Sequence, residues 1–429
     1  GAYRQAIVAV QSIRPEVSAA TAEGQPGASF RETVGVVYFE LADLLLRDSE
    51  QDVDPSHREA LLREARDTVE LFKVAELQDY FHDDCVQAAR SQATGLERVS
   101  KTAAVIYPIM LQDRLEILVS LPSGMVRKTV PVDAETLTEE IRAFRNFLEK
   151  RSTRQYLPHA KTLYGWLIRP IEPLWADSGI DTLVIVPDGA LRTIPLAALH
   201  DGTQFLIKKY AVATTPGVTL TDPRPLDRKG IKLLSVGITE AVQDFPPLPH
   251  VSRELETIQQ LFGGTVLLND NFRMSRVEQE LKTQPYSVMH IASQGQFQSE
   301  DKDTFLLAFD GKMTMDKLEG YVGLLRFRKD PLALITLSAC ETAAGDDRAA
   351  LGLAGVAIKA GARSALASLW FLDDEASSAL VTEFYQQLHD DSVASTAMAL
   401  QRAQIRFLEH SEYNHPAYWA AFLLLNNWL

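Results

Sequence analysis

Cysteine is scarce: the 429-residue chain has two, Cys85 and Cys340. Two thiols in so long a chain exclude a disulfide framework and a cysteine-rich zinc module, and point to a reducing compartment, expected to be the cytoplasm. Neither CxxC nor HExxH occurs and the nine histidines are scattered, so no structural metal and no cofactor are expected. No GxGxxG or Walker pattern opens a helix, which counts against a nucleotide-binding domain. No apolar run reaches the roughly 18 residues of a membrane span. The start, Gly1-Ala2-Tyr3-Arg4, lacks both an initiator Met and the apolar core of a signal peptide, and is expected to belong to a shortened or processed fragment of a longer parent. Basic charge is also short: 43 Lys and Arg against 57 Asp and Glu leave −14, which argues against broad electrostatic binding of nucleic acid or anionic lipid.

What is present is an ordinary globular composition, 46% apolar and 23% charged, with length for two or three domains. Residues 28–90 read as a helical pair. Val34, Val37, Tyr38, Leu41 and Leu44 recur at helical spacing, then Asp54-Pro55-Ser56 opens a second helix with Leu62, Ala65, Val69 and Phe72 on one face. This segment, taken as 1–90, reads either as a helical cap or as the last tetratricopeptide-like repeat of a solenoid, since a lone hairpin leaves an apolar face without a neighbour. Near residue 101 the period changes to two, and Ala103–Tyr107, Leu115–Leu121 and Val126–Val132 predict an antiparallel meander. Helical patterns follow at 135–150 and 160–175, then an apolar strand at Thr182–Val186. From residue 230, apolar strands at 231–236, 287–292, 332–337 and 364–369 alternate with helices near 250–262, 273–283 and 348–360. That alternation predicts an α/β unit over 230–429, a mostly parallel sheet flanked by helices, preceded by an antiparallel strand and helix subdomain over 91–229. Helices near 373–388 and 394–410 and a strand around Tyr418–Leu425 complete the chain.

In parallel sheets, active residues gather beyond the carboxyl ends of the strands. Two strand ends stand out, Met289-His290-Ile291-Ala292-Ser293-Gln294-Gly295 and Leu337-Ser338-Ala339-Cys340-Glu341-Thr342. A cysteine at a strand end is commonly a buried, inert residue; the company it keeps here points elsewhere. With Val186-Pro187-Asp188-Gly189, Ile194-Pro195-Leu196, Ala360-Gly361-Ala362-Arg363-Ser364, Ser368-Leu369-Trp370 and Tyr418-Trp419-Ala420-Ala421-Phe422, the chain resembles the CHAT family of caspase-like cysteine peptidases (clan CD), commonly fused to tetratricopeptide repeats. Leu77-Gln78-Asp79-Tyr80-Phe81 and Cys85 match the usual beginning of that region, so the resemblance runs over about 77–429.

The resemblance implies a caspase-like fold, a bacterial source, and Cys340 as nucleophile. It also implies a base at the position before Gly295, where this sequence has Gln294. A thiol is only a few per cent ionised near neutrality, so an imidazole must assist it and later protonate the leaving amine; glutamine does neither. His290 cannot substitute, because at about 3.3 Å per residue it lies roughly 13 Å from position 294, and it reads as a satisfied histidine inside the sheet. The oxyanion hole implied by the resemblance, the backbone N–H groups of Gly295 and Cys340, needs no side chain at 294. The chain is therefore expected to be catalytically dead or nearly so, as an engineered substrate trap or a natural pseudo-peptidase would be.

The specificity loop implied by the family holds Trp370-Phe371-Leu372-Asp373-Asp374-Glu375. Asp373 or Asp374 would select Lys or Arg before the scissile bond; the same acids also suit a helix N-terminus. Asp346, Asp347 and Arg348 are placed in a loop after Cys340. Two functions stay open. One is a peptidase cleaving a protein partner, controlled by a regulatory protein through the helical N-terminus. The other is a pseudo-peptidase that binds a peptide or protein without cutting it.

Overall fold

The computed structural model describes residues 2–23, 30–81, 100–176, 178–298, 304–326, 332–342 and 347–429. Cys85 lies outside them. Three helices lead: α1 (Ala2–Glu23), α2 (Val36–Gln51) and α3 (Pro55–Phe81). Pro55 sits at the first helical position of α3, where its missing N–H costs nothing, and Asp54 Oδ1 accepts from Ser56 N–H at 2.9 Å. Helices α2 and α3 pack along each other around Phe72, whose ring lies 5.0 Å from Phe39 and 5.8 Å from Tyr38. The inward face of α2 runs through Tyr38, Leu41, Ala42, Leu45 and Leu46, whereas Leu44, read from spacing as part of it, is 46% exposed. Sequence spacing did not disclose the second half of α3. From Thr68 to Phe81 every residue but Leu71 is buried, including Glu70, Lys73, Glu76, Gln78 and Asp79. These polar groups are tolerated because the rest of the fold supplies partners: Val218 and Thr219 for Glu70, Asp188 for Lys73, Arg192 for Glu76 and Arg348 for Asp79.

A meander of β1 (Ala103–Met110), β2 (Leu115–Leu121) and β3 (Gly124–Val130) follows, antiparallel as its alternation predicts. Next come α4 (Ala134–Leu148), α5 (Tyr156–Leu167), β4 (Thr182–Ile185) and β5 (Ala211–Thr214). The alternating part contains β6 (Leu233–Gly237), α6 (Val251–Phe262), β7 (Thr265–Leu268), α7 (Met274–Thr283) and β8 (Val288–Phe297). A hairpin of β9 (Phe305–Ala308) and β10 (Gly311–Thr314) leads to α8 (Met315–Arg326) and β11 (Leu334–Thr342). The chain continues with α9 (Asp347–Lys359), β12 (Ser364–Ser368), α10 (Asp374–His389), α11 (Thr396–Glu409) and β13 (Phe422–Asn426).

All thirteen strands of the described residues join in one sheet. Strands β7, β6, β8, β11 and β12 are mutually parallel neighbours, and β5, β4 and β1 form a second parallel run. The bridge between the runs is β13, antiparallel to β12 and parallel to β5 through Leu425↔Thr214. Such strands, covered on both faces, need apolar side chains on both, which is why they read as continuous apolar runs.

Two strands are longer than their apolar runs. Strand β8 extends to Phe297 and β11 to Thr342, because the ladder resumes beyond the apolar runs with Gln294 to Phe297 against Ala339 to Thr342. Cys340 is thus inside β11 rather than beyond its end. Short β5 and β7, the β9–β10 hairpin and α1 have no counterpart in the sequence reading; four-residue strands carry too little periodicity to be seen.

Candidate active site

The pairing of β8 with β11 sets the geometry. From Leu334↔Val288 to Leu337↔Ile291 the offset is constant; beyond it Ala339 faces Gln294 and Cys340 faces Gly295. Ala292 and Ser293 therefore oppose the single residue Ser338, a one-residue slip of the bulge type. Without that slip Cys340 would stand directly opposite Gln294. With it, the two positions are diagonal neighbours on adjoining strands, and Gly295 and Cys340 oppose each other. The structure thus brings together three of the positions picked from sequence, Cys340, Gln294 and Gly295.

Gln294 is 7% exposed, and its Nε2 lies 3.5 Å from the Pro246 carbonyl, at the limit of a hydrogen bond. His290, farther back on β8, is fully buried. Its Nε2 lies 2.9 Å from Glu254 Oε1 on α6, yet neither the ring nitrogens nor the carboxylate oxygens are aligned for a hydrogen bond. The expected burial in the sheet is met, and the Glu254 carboxylate is the partner beside the ring. His290 packs at ring edge against Tyr385 of α10, whose hydroxyl donates to Thr336 on β11.

The loop after β12 separates its two acids. Asp373 is the N-cap of α10: Oδ1 accepts from Ala376 N–H at 2.9 Å, and Oδ2 pairs with Arg151 at 3.0 Å. Asp374 turns inward. Its Oδ2 accepts from His250 N–H at 2.7 Å, on the loop that also carries Pro246 beside Gln294, and burial raises its carboxyl above the usual range. Phe371 between them and Trp370 is 43% exposed. The loop is anchored from the other half of the sheet by Arg145 of α4, which donates to the Leu369 carbonyl at 3.0 Å and lies over the Trp370 ring. Nothing in the spacing around Arg145 announces this reach across 224 positions.

Arg348, expected in a loop, belongs to α9, where it pairs with Asp79 of α3 at 3.2 Å. The loop positions 343–346, including Asp346 and Gly345, lie outside the described residues, and Asp347 is the first residue of α9. Gly355 of α9 sits where an added Cβ would be 2.5 Å from Phe81 and 2.7 Å from Leu77, so α9 and α3 approach closely. Beside them lies a buried charged cluster at the Pro187-Asp188-Gly189 turn. Asp188 accepts from Lys73 and from Arg31, each at 2.6 Å, and Arg192 pairs with Glu76. Burial alone would raise the Asp188 carboxyl, but Arg31 and then Lys73 hold it well below the usual carboxylate range. Burial pushes Lys73 down to about 8, against the pull of Asp188.

No helix of the described residues is long and apolar enough to cross a membrane. The CHAT domain model matches residues 157–427, which include β8, β11 and the loop after β12. No curated protein matches the chain significantly. Two crystal structures of the Saccharomyces cerevisiae separase–securin complex share the fold. One has a TM-score of 0.56 at 10% identity, the other 0.55 at 11%, and each alignment covers 91% of this chain. The chain spans about a third of the length of that separase, 36% in both alignments. A large, mostly parallel sheet with this strand order, together with the match over 157–427, settles the family: the chain belongs to the CHAT-domain proteins, with a caspase-like fold.

Proposed function

We propose that this protein is a cysteine endopeptidase by fold and nucleophile, stalled because Gln294 stands in the place of the base. The observation that carries the reading is the register of β8 and β11, which sets Cys340 opposite Gly295, the two residues assigned to the oxyanion hole, with position 294 next along β8. In the reaction so assigned, the Cys340 sulfur bonds to the scissile carbonyl carbon after its proton passes to a base at position 294. The oxyanion forms against the N–H groups of Gly295 and Cys340. The C–N bond then breaks, the base returns the proton to the leaving amine, and water hydrolyses the thioester. An amide side chain performs neither proton transfer. Asp374, half-buried and near the Pro246–His250 loop, is the acid that fits a Lys or Arg before the scissile bond; Asp373 is engaged as cap and ion pair. The substrate is a protein. The N-terminal helices, of tetratricopeptide type in this reading, receive a regulatory partner, and the scarcity of cysteine supports a cytoplasmic setting in a bacterium.

The residue that stalls catalysis also favours a second reading, a natural pseudo-peptidase that binds a peptide in the same groove. One experiment separates them. Gln294→His is expected to raise turnover of a basic-residue peptide library by about 10⁴-fold or more over a negligible start. Loss on Cys340→Ala would identify the nucleophile. Robust turnover by the unaltered chain that Cys340→Ala abolishes would refute the stalled site. Peptide binding with no turnover in Gln294→His would support the binding module.

A further inference from the structure

The register slip beside Cys340 has a dedicated holder. Where Ala292 and Ser293 oppose Ser338, Ser338 has no register partner on β8, and its carbonyl is bonded from outside the sheet. The donor is the Ser377 hydroxyl on the first turn of α10, which donates to the Ser338 carbonyl. Both residues are buried, at 3% and 2% exposure. Serine inside a helix ordinarily bonds back to its own preceding turn or faces water; Ser377 reaches instead to a strand two residues before the nucleophile. The same turn grips the other strand end. Asp374 accepts from His250 N–H, and Ser378 Oγ lies 3.4 Å from the His250 carbonyl, on the loop whose Pro246 faces Gln294.

We infer that Ser377 is a positioning residue for Cys340: it holds the slipped register that sets Cys340 opposite Gly295, the two residues whose N–H groups the peptidase reading assigns to the oxyanion hole. This rests on the peptidase reading for its catalytic consequence, and on the register alone for its structural one. Its neighbour Ser378, also buried but bonded away from β11, is the internal control.

Two measurements test it. In the chain as it stands, Ser377→Ala is expected to speed amide hydrogen exchange over 338–342 by tenfold or more, with Ser378→Ala within threefold of the unaltered chain. In the Gln294→His protein, Ser377→Ala is expected to lower kcat at least tenfold with KM within threefold, and Ser377→Thr, which keeps the hydroxyl, to recover most of it. Equal exchange in the Ser377→Ala and Ser378→Ala variants would overturn the proposal, as would an unchanged kcat in an active Gln294→His background. If Gln294→His turns nothing over, the peptidase reading has failed, and the exchange comparison alone decides whether Ser377 holds the strand.

Discussion

Asp373 and Asp374 are adjacent, chemically identical and differently employed, and the difference is visible only in three dimensions. Asp373 spends both oxygens, one on Ala376 N–H and one on Arg151. Removing it as Asp373→Ala is expected to cost about 0.5–2 kcal/mol of stability, as for other lost caps, and to leave the preference for basic residues intact in the Gln294→His protein. Asp374→Asn is expected to do the opposite. Stability moves little, and cleavage after Lys or Arg falls by roughly two to three orders of magnitude, because a partly desolvated cation loses its partner. A peptide library scored before and after each change checks both. If Asp374→Asn cuts basic sites normally, the specificity assignment fails. The sequence showed three acids that could cap a helix or line a pocket, and no spacing rule chooses between those fates. The choice is made by Arg151 and His250, which lie 222 and 124 positions away from their acids.

At the scale of elements, α3 is the least legible part of the fold. Spacing shows one apolar face, Leu62, Ala65, Val69 and Phe72, yet the whole second half is enclosed, and its Lys73 and Glu76 are taken up by the cluster around Asp188. There, Arg31, Lys73 and Arg192 meet Glu76 and Asp188, three cations against two carboxylates. Asp188→Asn is expected to destabilise by about 3–5 kcal/mol, since it strands buried cations. The pH dependence has the same sign for both depressed groups of the cluster, in different windows. The contribution of Asp188 is complete above its unfolded value of about 3.9 and is lost as the pH falls through its lower folded one. Lys73 follows the same sign at higher pH: between about 8 and its unfolded value of about 10.4, the unfolded chain holds the extra proton, so stability from this group also grows with pH. Thermal melts of the unaltered chain and Lys73→Met from pH 7.5 to 10 should therefore diverge in favour of the unaltered chain. A constant difference would contradict the buried lysine. Close by, Gly355→Ala adds a good helix former but drives a Cβ into Phe81 and Leu77. The clash, about 1–3 kcal/mol, should outweigh the roughly 1 kcal/mol gained from propensity, and the melt should fall.

Over the whole molecule, the alternation from residue 230 onward was readable because buried parallel strands must be apolar on both faces. The joining of both halves into one sheet was not, because it rests on β13, drawn from the chain's end to lie between β12 and β5. The candidate site divides in the same way. Cys340, Gln294 and Gly295 were legible as motif positions. The slip that sets their relation was not, since it is a property of two strands 46 residues apart and leaves no mark on either alone. The account as a whole depends on one chemical statement, that Cys340 stands beside a position from which a base is missing. With Cys85→Ser leaving a single thiol, the rate of Cys340 alkylation by iodoacetamide across pH 5–10 tests it directly. The unaltered site should show one rise centred near the ordinary thiol value of about 8.5. Gln294→His should add a reactive plateau extending below pH 7, where a thiolate and imidazolium share the proton. Identical profiles, with no plateau in Gln294→His, would contradict the account.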